Sequence, residues 1–279
     1  MKILVPLKRV ADPENANKVK VSPDHSRILT EGLEWKINPY DEYALEAALR
    51  LNENASTKQT LGETIVVSVG PKDSVATLRQ ALAMGADRAI LIEGQDEALD
   101  ANVVAEALRA VVEKEKPDLV LMGKITVDSD SNLTGQYLAE KLQWPTATLA
   151  MQIELLEGGK SLRVGRELDI GVLTMSVELP AVVTASDRII HPTSIRNGVT
   201  PADFRYPEAE GGRYASLKGI MAAKKKPVEE LSLESLGVSA RPLVNYSQFT
   251  TPPARSGKTV FVDSVAELVQ KLRQEAKVL

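Results

Sequence analysis

The chain is expected to adopt an α/β fold: a mainly parallel sheet with added antiparallel strands and a long C-terminal arm that ends in a helix. Three observations predict it. Strand and helix signals alternate through the first half, strand-like runs follow one another past Pro145, and a stretch with little apolar periodicity precedes a final amphipathic segment. With 279 residues, 43% of them hydrophobic, the chain can bury one sizeable core and still carry an appendage. The boundary is expected between residues 1–186 and 187–279.

Residues 3–7 form the first expected strand. Ala44, Leu45, Ala48 and Leu49 share one stripe of a helix expected over 41–52, placed just after Asn38-Pro39 because proline suits a first helical turn. A strand over 64–69 leads to a helix capped by Ser74, with Val75, Leu78, Ala81 and Leu82 inward and Gly85 ending it. Residues 88–93 read as the third strand, 100–114 as a helix and 118–123 as the fourth strand, which implies right-handed βαβ crossovers. Runs over 149–156, 161–168, 173–178 and 181–185 are separated by Gly or Pro breaks and suit antiparallel hairpins extending the same sheet. Residues 186–258 lack clear periodicity, and so long a stretch without elements is read as reaching across a partner. The last helix is expected over 263–278, with Val265, Leu268, Val269 and Leu272 on one face.

The stretch from Asp128 to Ala139 joins a buried-strand signal to an amphipathic helix, the place where open α/β sheets bind nucleotides. Ser131, Asn132 or Thr134 is expected to cap that helix, leaving backbone N–H groups to face a phosphate. Asp128 and Asp130 would repel a bare phosphate, so they are read as acceptors for ribose hydroxyls, adenine or backbone. The alternative is a well-capped helix entry with no ligand.

Other chemistries are excluded by what the chain lacks. A net charge of −4 disfavours nucleic acid as the main partner. The absence of cysteine removes thiolate nucleophiles, disulfides and iron–sulfur ligation. His25 and His191 are the only histidines and lie in polar stretches, so no metal site and no Ser/His/Asp set is expected. Neither a Gly-x-x-x-x-Gly-Lys-Ser/Thr loop nor a Gly-x-Gly-x-x-Gly turn occurs, and the Ser-Gly-Gly-x-Asp-Ser pyrophosphate loop is missing, so a nucleotide would be held and not cleaved. With no leader-like start and no apolar run of membrane-spanning length, a soluble bacterial cytoplasmic protein is expected.

Five separated motifs stand out: Val5-Pro6-Leu7-Lys8-Arg9-Val10; Asn38-Pro39; the run from Ala81 to Ala89; the loop from Asp128 through Thr134-Gly135-Gln136; and the run from Val164 to Gly171 continuing to Leu179-Pro180-Ala181-Val182-Val183-Thr184-Ala185. Arg213-Tyr214-Ala215-Ser216-Leu217, Ile220-Met221 and the lysines 224–226 join them. In this order they make the chain resemble the beta (small) subunit of electron transfer flavoproteins over nearly its whole length. The resemblance implies a Rossmann-like sheet of the adenine nucleotide alpha hydrolase-like kind. It implies a heterodimer whose alpha subunit carries most of the FAD site, with a structural AMP in this chain. Carried over by position, the AMP lining is Pro6, Asn38, Pro39, Tyr40, Asp41, Val69, Asp128, Ser129, Asp130, Ser131, Asn132, Leu133, Thr134, Gly135, Gln136, Tyr137, Leu138 and Ala139.

The same resemblance implies an electron carrier without catalytic residues of its own. Its donors would be acyl-CoA or other flavin dehydrogenases, as in fatty acid oxidation, and its acceptor a membrane quinone oxidoreductase. Arg213, Tyr214, Leu217, Ile220 and Met221 would form the dehydrogenase-docking loop, with Leu217 as the anchor, and residues 187–279 would wrap the alpha subunit. Departures from the family are Asp12-Pro13 where many relatives place an aromatic residue, Ala222-Ala223 before the lysines, and a longer segment over 190–212. An electron-bifurcating form would hold a second FAD in place of AMP, but its loop usually reads Asp-Gly-Asp-Thr-Ala-Gln. A stand-alone ATP-binding stress-type domain is the alternative of another class, opposed by the missing phosphate loop and by the arm.

Overall fold

The computed structural model describes residues 1–239, 241–253 and 259–279. Residues 240 and 254–258, part of the expected arm, lie outside the described residues. The chain forms two units: Met1–Val19 with Thr30–Tyr246, and Lys20–Leu29 with Ser247–Leu279.

The first unit is built on a sheet of β1 (Lys2–Pro6), β2 (Glu63–Gly70), β3 (Arg88–Glu93), β4 (Leu119–Gly123), β5 (Thr146–Leu155), β6 (Ser161–Leu168), β7 (Gly171–Glu178), β8 (Ala181–Ala185), β9 (Ile195–Arg196) and β10 (Val228–Ser232). The strand order is β7-β6-β5-β8-β4-β1-β2-β3-β10, with β9 beside β5. Only β5 with β6 and β6 with β7 pair antiparallel; the other neighbours are parallel. Helices α1 (Pro39–Leu51), α2 (Val75–Met84), α3 (Ala101–Glu115) and α4 (Thr134–Leu142) follow β-strands or small connecting pairs, as the alternating pattern predicts.

Alternate residues of each central strand feed two cores. Ile3, Val5, Val66, Leu91, Leu121 and Val183 pack with α1 and α2, whereas Leu4, Ile65, Val67, Ile92, Val120 and Val182 pack with α3 and α4. A parallel strand covered on both faces has no polar side to show, which is why these runs are continuously apolar. Asp100 caps α3 by accepting the Val103 N–H at 2.9 Å, and Gly85 ends α2 at φ +137°, a conformation that glycine adopts without strain.

Several expectations are corrected. Residues 181–185 are not the partner of a hairpin: β8 inserts between β4 and β5, parallel to both. Ser74 makes no capping bond, because Lys72–Ser74 already forms a 3-10 turn and the helical path starts earlier. No side chain of Ser131, Asn132 or Thr134 caps α4; Leu133 holds the flanking position, and Asn132 instead accepts the side-chain amide of Gln136 at 3.0 Å. The stretch expected to lack elements contains β9, β10 and a helix α5 (Leu217–Ala223), and β10 extends the main sheet alongside β3.

In the second unit, Lys20–Val21 pairs antiparallel with Ile28–Leu29, and the His25 Nδ1 lies 2.8 Å from the Phe249 carbonyl oxygen. Its helix α6 (Val265–Lys271) is shorter than expected. Ser264 caps it by accepting the Glu267 N–H at 3.2 Å, and Leu272–Ala276 continues as a wider turn.

Candidate functional site

From β1 the chain steps outward through β2 and β3, then returns to lay β4 on the other side of β1. In an open α/β sheet the ligand crevice lies outside the carboxyl ends of the strands where their order reverses in this way. Pro6 and Gly123 are the last residues of β1 and β4. Their ends are joined by Asp41, in the first turn of α1, whose two carboxylate oxygens accept the N–H groups of Lys8 at 2.8 Å and Gly123 at 3.1 Å. The approach is so close that a Cβ on Gly123 would fall 2.5 Å from Asp41 Oδ1. Burial pushes the Asp41 carboxyl up to about 7, although the N–H groups of Lys8 and Gly123 favour its charged form.

Asn38, fully buried just before α1, spends its side chain on the loop that follows β4. Its Nδ2 donates to the Ile125 carbonyl at 2.9 Å, and its Oδ1 accepts the Val127 N–H at 3.1 Å. Pro39 starts the helix and limits its entry angle. The Lys124 ammonium stands 5.0 Å from the centre of the Tyr40 ring and 3.3 Å from Asp187. Asp128 is already engaged, its Oδ2 lying 2.6 Å from Lys8 Nζ. Sequence reading missed Lys8 as a member of this site, although a lysine two residues past a strand end was its signal.

Asp128, Ser129, Asp130, Ser131 and Leu133 are exposed, while Asn132 and Thr134 are half-buried. Asp130 and Asn132 take left-handed φ of +51° and +48°, which these side chains tolerate better than most. Gly135 lets α4 start directly against the sheet: a Cβ there would meet Thr184 Cγ2 at 2.8 Å. The leading N–H groups of a helix have no partners within it, so the start of α4 offers donors to an anion. Beside them, Gln136 Oε1 is buried with no hydrogen-bond partner among the described residues. Leu138 and Ala139 are buried in the second core and half-buried Tyr137 packs against it. Val69 is half-buried at the end of β2, near the buried and unpaired hydroxyls of Ser68 and Ser74.

A second group lies on the loop around α5. Tyr214 is 99% exposed, Leu217 78%, Met221 58% and Ile220 42%. Arg213 is turned the other way, onto Glu46 and Glu53. Gly219 permits α5 to sit on α2, since a Cβ would fall 2.4 Å from the Ala83 carbonyl oxygen. Among the described residues no group of acidic and histidine side chains could hold a metal, and no helix is long and apolar enough to cross a membrane.

The family model described as "Electron transfer flavoprotein domain" matches residues 26–236. The mitochondrial electron transfer flavoprotein subunit beta of Arabidopsis thaliana is 39% identical over 279 residues, the full length of both chains. Subunit beta of Bradyrhizobium diazoefficiens is 40% identical, again over both full lengths, and that of Homo sapiens is 40% identical over all of this chain and 99% of its own. With the motifs, the fold and full-length identities near 40% in agreement, the chain belongs to the electron transfer flavoprotein family, among its beta subunits.

Proposed function

We propose that this chain pairs with an alpha subunit to form a heterodimeric electron carrier, in which FAD sits mainly in the alpha subunit and AMP is held structurally in the crevice at the ends of β1 and β4. One observation carries the reading. Buried Asn38 and Asp41 knit two strand ends to the loop before α4, and beside the open start of that helix Gln136 Oε1 is buried without a partner. A nucleotide bearing one phosphate suits a helix N-terminus that has no phosphate loop before it. Residues Pro6, Asn38 to Asp41, Val69 and Asp128 to Ala139 are its proposed lining. AMP supplies no redox chemistry. It would stabilise the folded chain by mass action, and FAD supplies the electron chemistry when bound.

The role of this chain is then positioning and docking, without catalytic residues of its own. Tyr214, Leu217, Ile220 and Met221 form an apolar patch on an otherwise polar loop, which suits an anchor inserted into an acyl-CoA or other flavin dehydrogenase. Residues 187–279 supply surface for the alpha subunit; Leu243 and Val244 in the first unit, and Phe261 and Val265 in the second, are exposed. A membrane quinone oxidoreductase is the proposed acceptor and the bacterial cytoplasm the proposed location. The sheet is read as adenine nucleotide alpha hydrolase-like.

Co-expression tests the pairing. Expressed alone, the chain is expected to be poorly soluble or free of flavin, and with the alpha subunit to yield a yellow heterodimer. A soluble monomer carrying one flavin per chain would contradict the reading.

A further inference from the structure

The segment over 190–213 is fastened along one stripe of α1. Glu42, Glu46 and Arg50 recur at helical spacing and so share a side of α1, and Glu53 follows just past the end of the helix. Glu42 Oε1 accepts the Gly212 N–H at 3.1 Å. Glu46 accepts the Arg213 backbone N–H at 3.1 Å and its Nε at 2.7 Å, and Glu53 takes both Nη groups at 2.8 Å each. Arg50 bonds Glu46 at 2.7 Å, donates to the carbonyls of Ile190 and His191, and lies 4.2 Å from the centre of the Tyr206 ring. Asn197 donates to the carbonyls of Arg50 and Leu51 at the end of the helix and to that of Glu53 just past it.

Burying carboxylates as deeply as Glu46, at 3% exposure, is costly unless each is paired. Apolar side chains of similar volume often stabilise as well, so the role we infer for this ionic cluster is to fix one geometry. The geometry fixed here is the start of the α5 loop. Arg213 directly precedes Tyr214, and Ser216 caps α5 by accepting the Gly219 N–H at 3.0 Å. At the far end Arg79 of α2 donates to the carbonyls of Ala223, at 2.7 Å, and Lys226. Held at both ends, α5 shows Leu217 and Met221 to solvent.

We propose that Arg213 is a positioning residue: its fork onto Glu46 and Glu53 fixes the point where the α5 loop leaves the body, so that the Leu217 anchor is pre-set before a partner arrives. The inference rests on the docking reading given above. Loop order established in advance is order that binding need not impose, so the clip acts on affinity and not on the chemistry of transfer. A planar fork is required, because lysine keeps the charge but makes no bidentate pair.

The test uses the heterodimer with Arg213→Lys, Glu53→Gln and Leu217→Ala. Electron acceptance is followed against dehydrogenase concentration, and amide hydrogen exchange is followed over 214–223. Arg213→Lys and Glu53→Gln are expected to raise KM for the dehydrogenase about fivefold or more, with kcat nearly unchanged, exchange over 214–223 accelerated and nucleotide content kept. Leu217→Ala is expected to raise KM without altering exchange. If Leu217→Ala raises KM while both clip variants leave KM and exchange unchanged, the clip is wrong and docking stands. If Leu217→Ala leaves KM unchanged, the docking reading falls and this inference falls with it. Should Arg213→Lys fail to fold, Glu53→Gln decides the matter, because Glu46 keeps both arginines.

Discussion

Replacing Asn38 by alanine removes a side chain that hydrogen-bonds the start of α1 to the loop after β4. Two hydrogen bonds are lost, and the Ile125 carbonyl and Val127 N–H lose their partners. A net loss of ~1 kcal/mol per bond, increased by partly stranding two backbone groups and moderated by water reaching the half-exposed loop, gives about 2–3 kcal/mol. For a chain of 279 residues that is a fall of roughly 5 °C in melting temperature. Nucleotide retention should suffer as well, since the same loop leads into the start of α4. The assay is thermal unfolding of the heterodimer with and without excess AMP: the parent should gain stability from AMP and Asn38→Ala should gain little at the same concentration. A variant that melts within a degree of the parent and responds fully to AMP would refute the view that Asn38 organises this crevice.

Asp41 gives the site a pH signature. Its folded carboxyl titrates near 7 against an ordinary 3.8, so the folded state binds the proton more tightly. Its contribution to stability is therefore lost as pH rises from about 4 through about 7, and Asp41→Asn should flatten that part of the curve in denaturant unfolding at stepped pH. Thr134→Val, at the first position of α4, should lower the AMP retained through gel filtration while leaving the fold intact. Gly219→Ala should push α5 off the Ala83 carbonyl and reduce electron acceptance from the dehydrogenase about tenfold, with flavin content unchanged by absorbance.

What the sequence made legible follows from periodicity. Runs 161–168 and 181–185 match β6 and β8 because apolar spacing marks a strand wherever it pairs. Spacing does not say which neighbour a strand finds, and so β8 was expected beside β7 and lies between β4 and β5. Helix α5 escaped notice because seven residues containing Gly219 make too short a pattern, and its position is set by packing on α2 and by Arg79. In the crevice, the loop at 128–136 reads from the sequence as the step from a strand into a helix, whereas Asn38 and Asp41 enter only through the family resemblance. The pairing of Lys8 with Asp128, 120 positions apart, is a product of topology that no local pattern contains. The caps expected at Ser131, Asn132 and Thr134 failed for a related reason: left-handed turns at Asp130 and Asn132 direct the loop elsewhere.

The crevice at the ends of β1 and β4 is proposed to hold a structural AMP in a carrier whose flavin belongs mainly to the alpha subunit. Mass spectrometry of the ligands released by denaturing the purified heterodimer, quantified against protein, tests it most directly. One AMP and one FAD per heterodimer is the predicted result. Two FAD and no AMP would contradict it and identify an electron-bifurcating form.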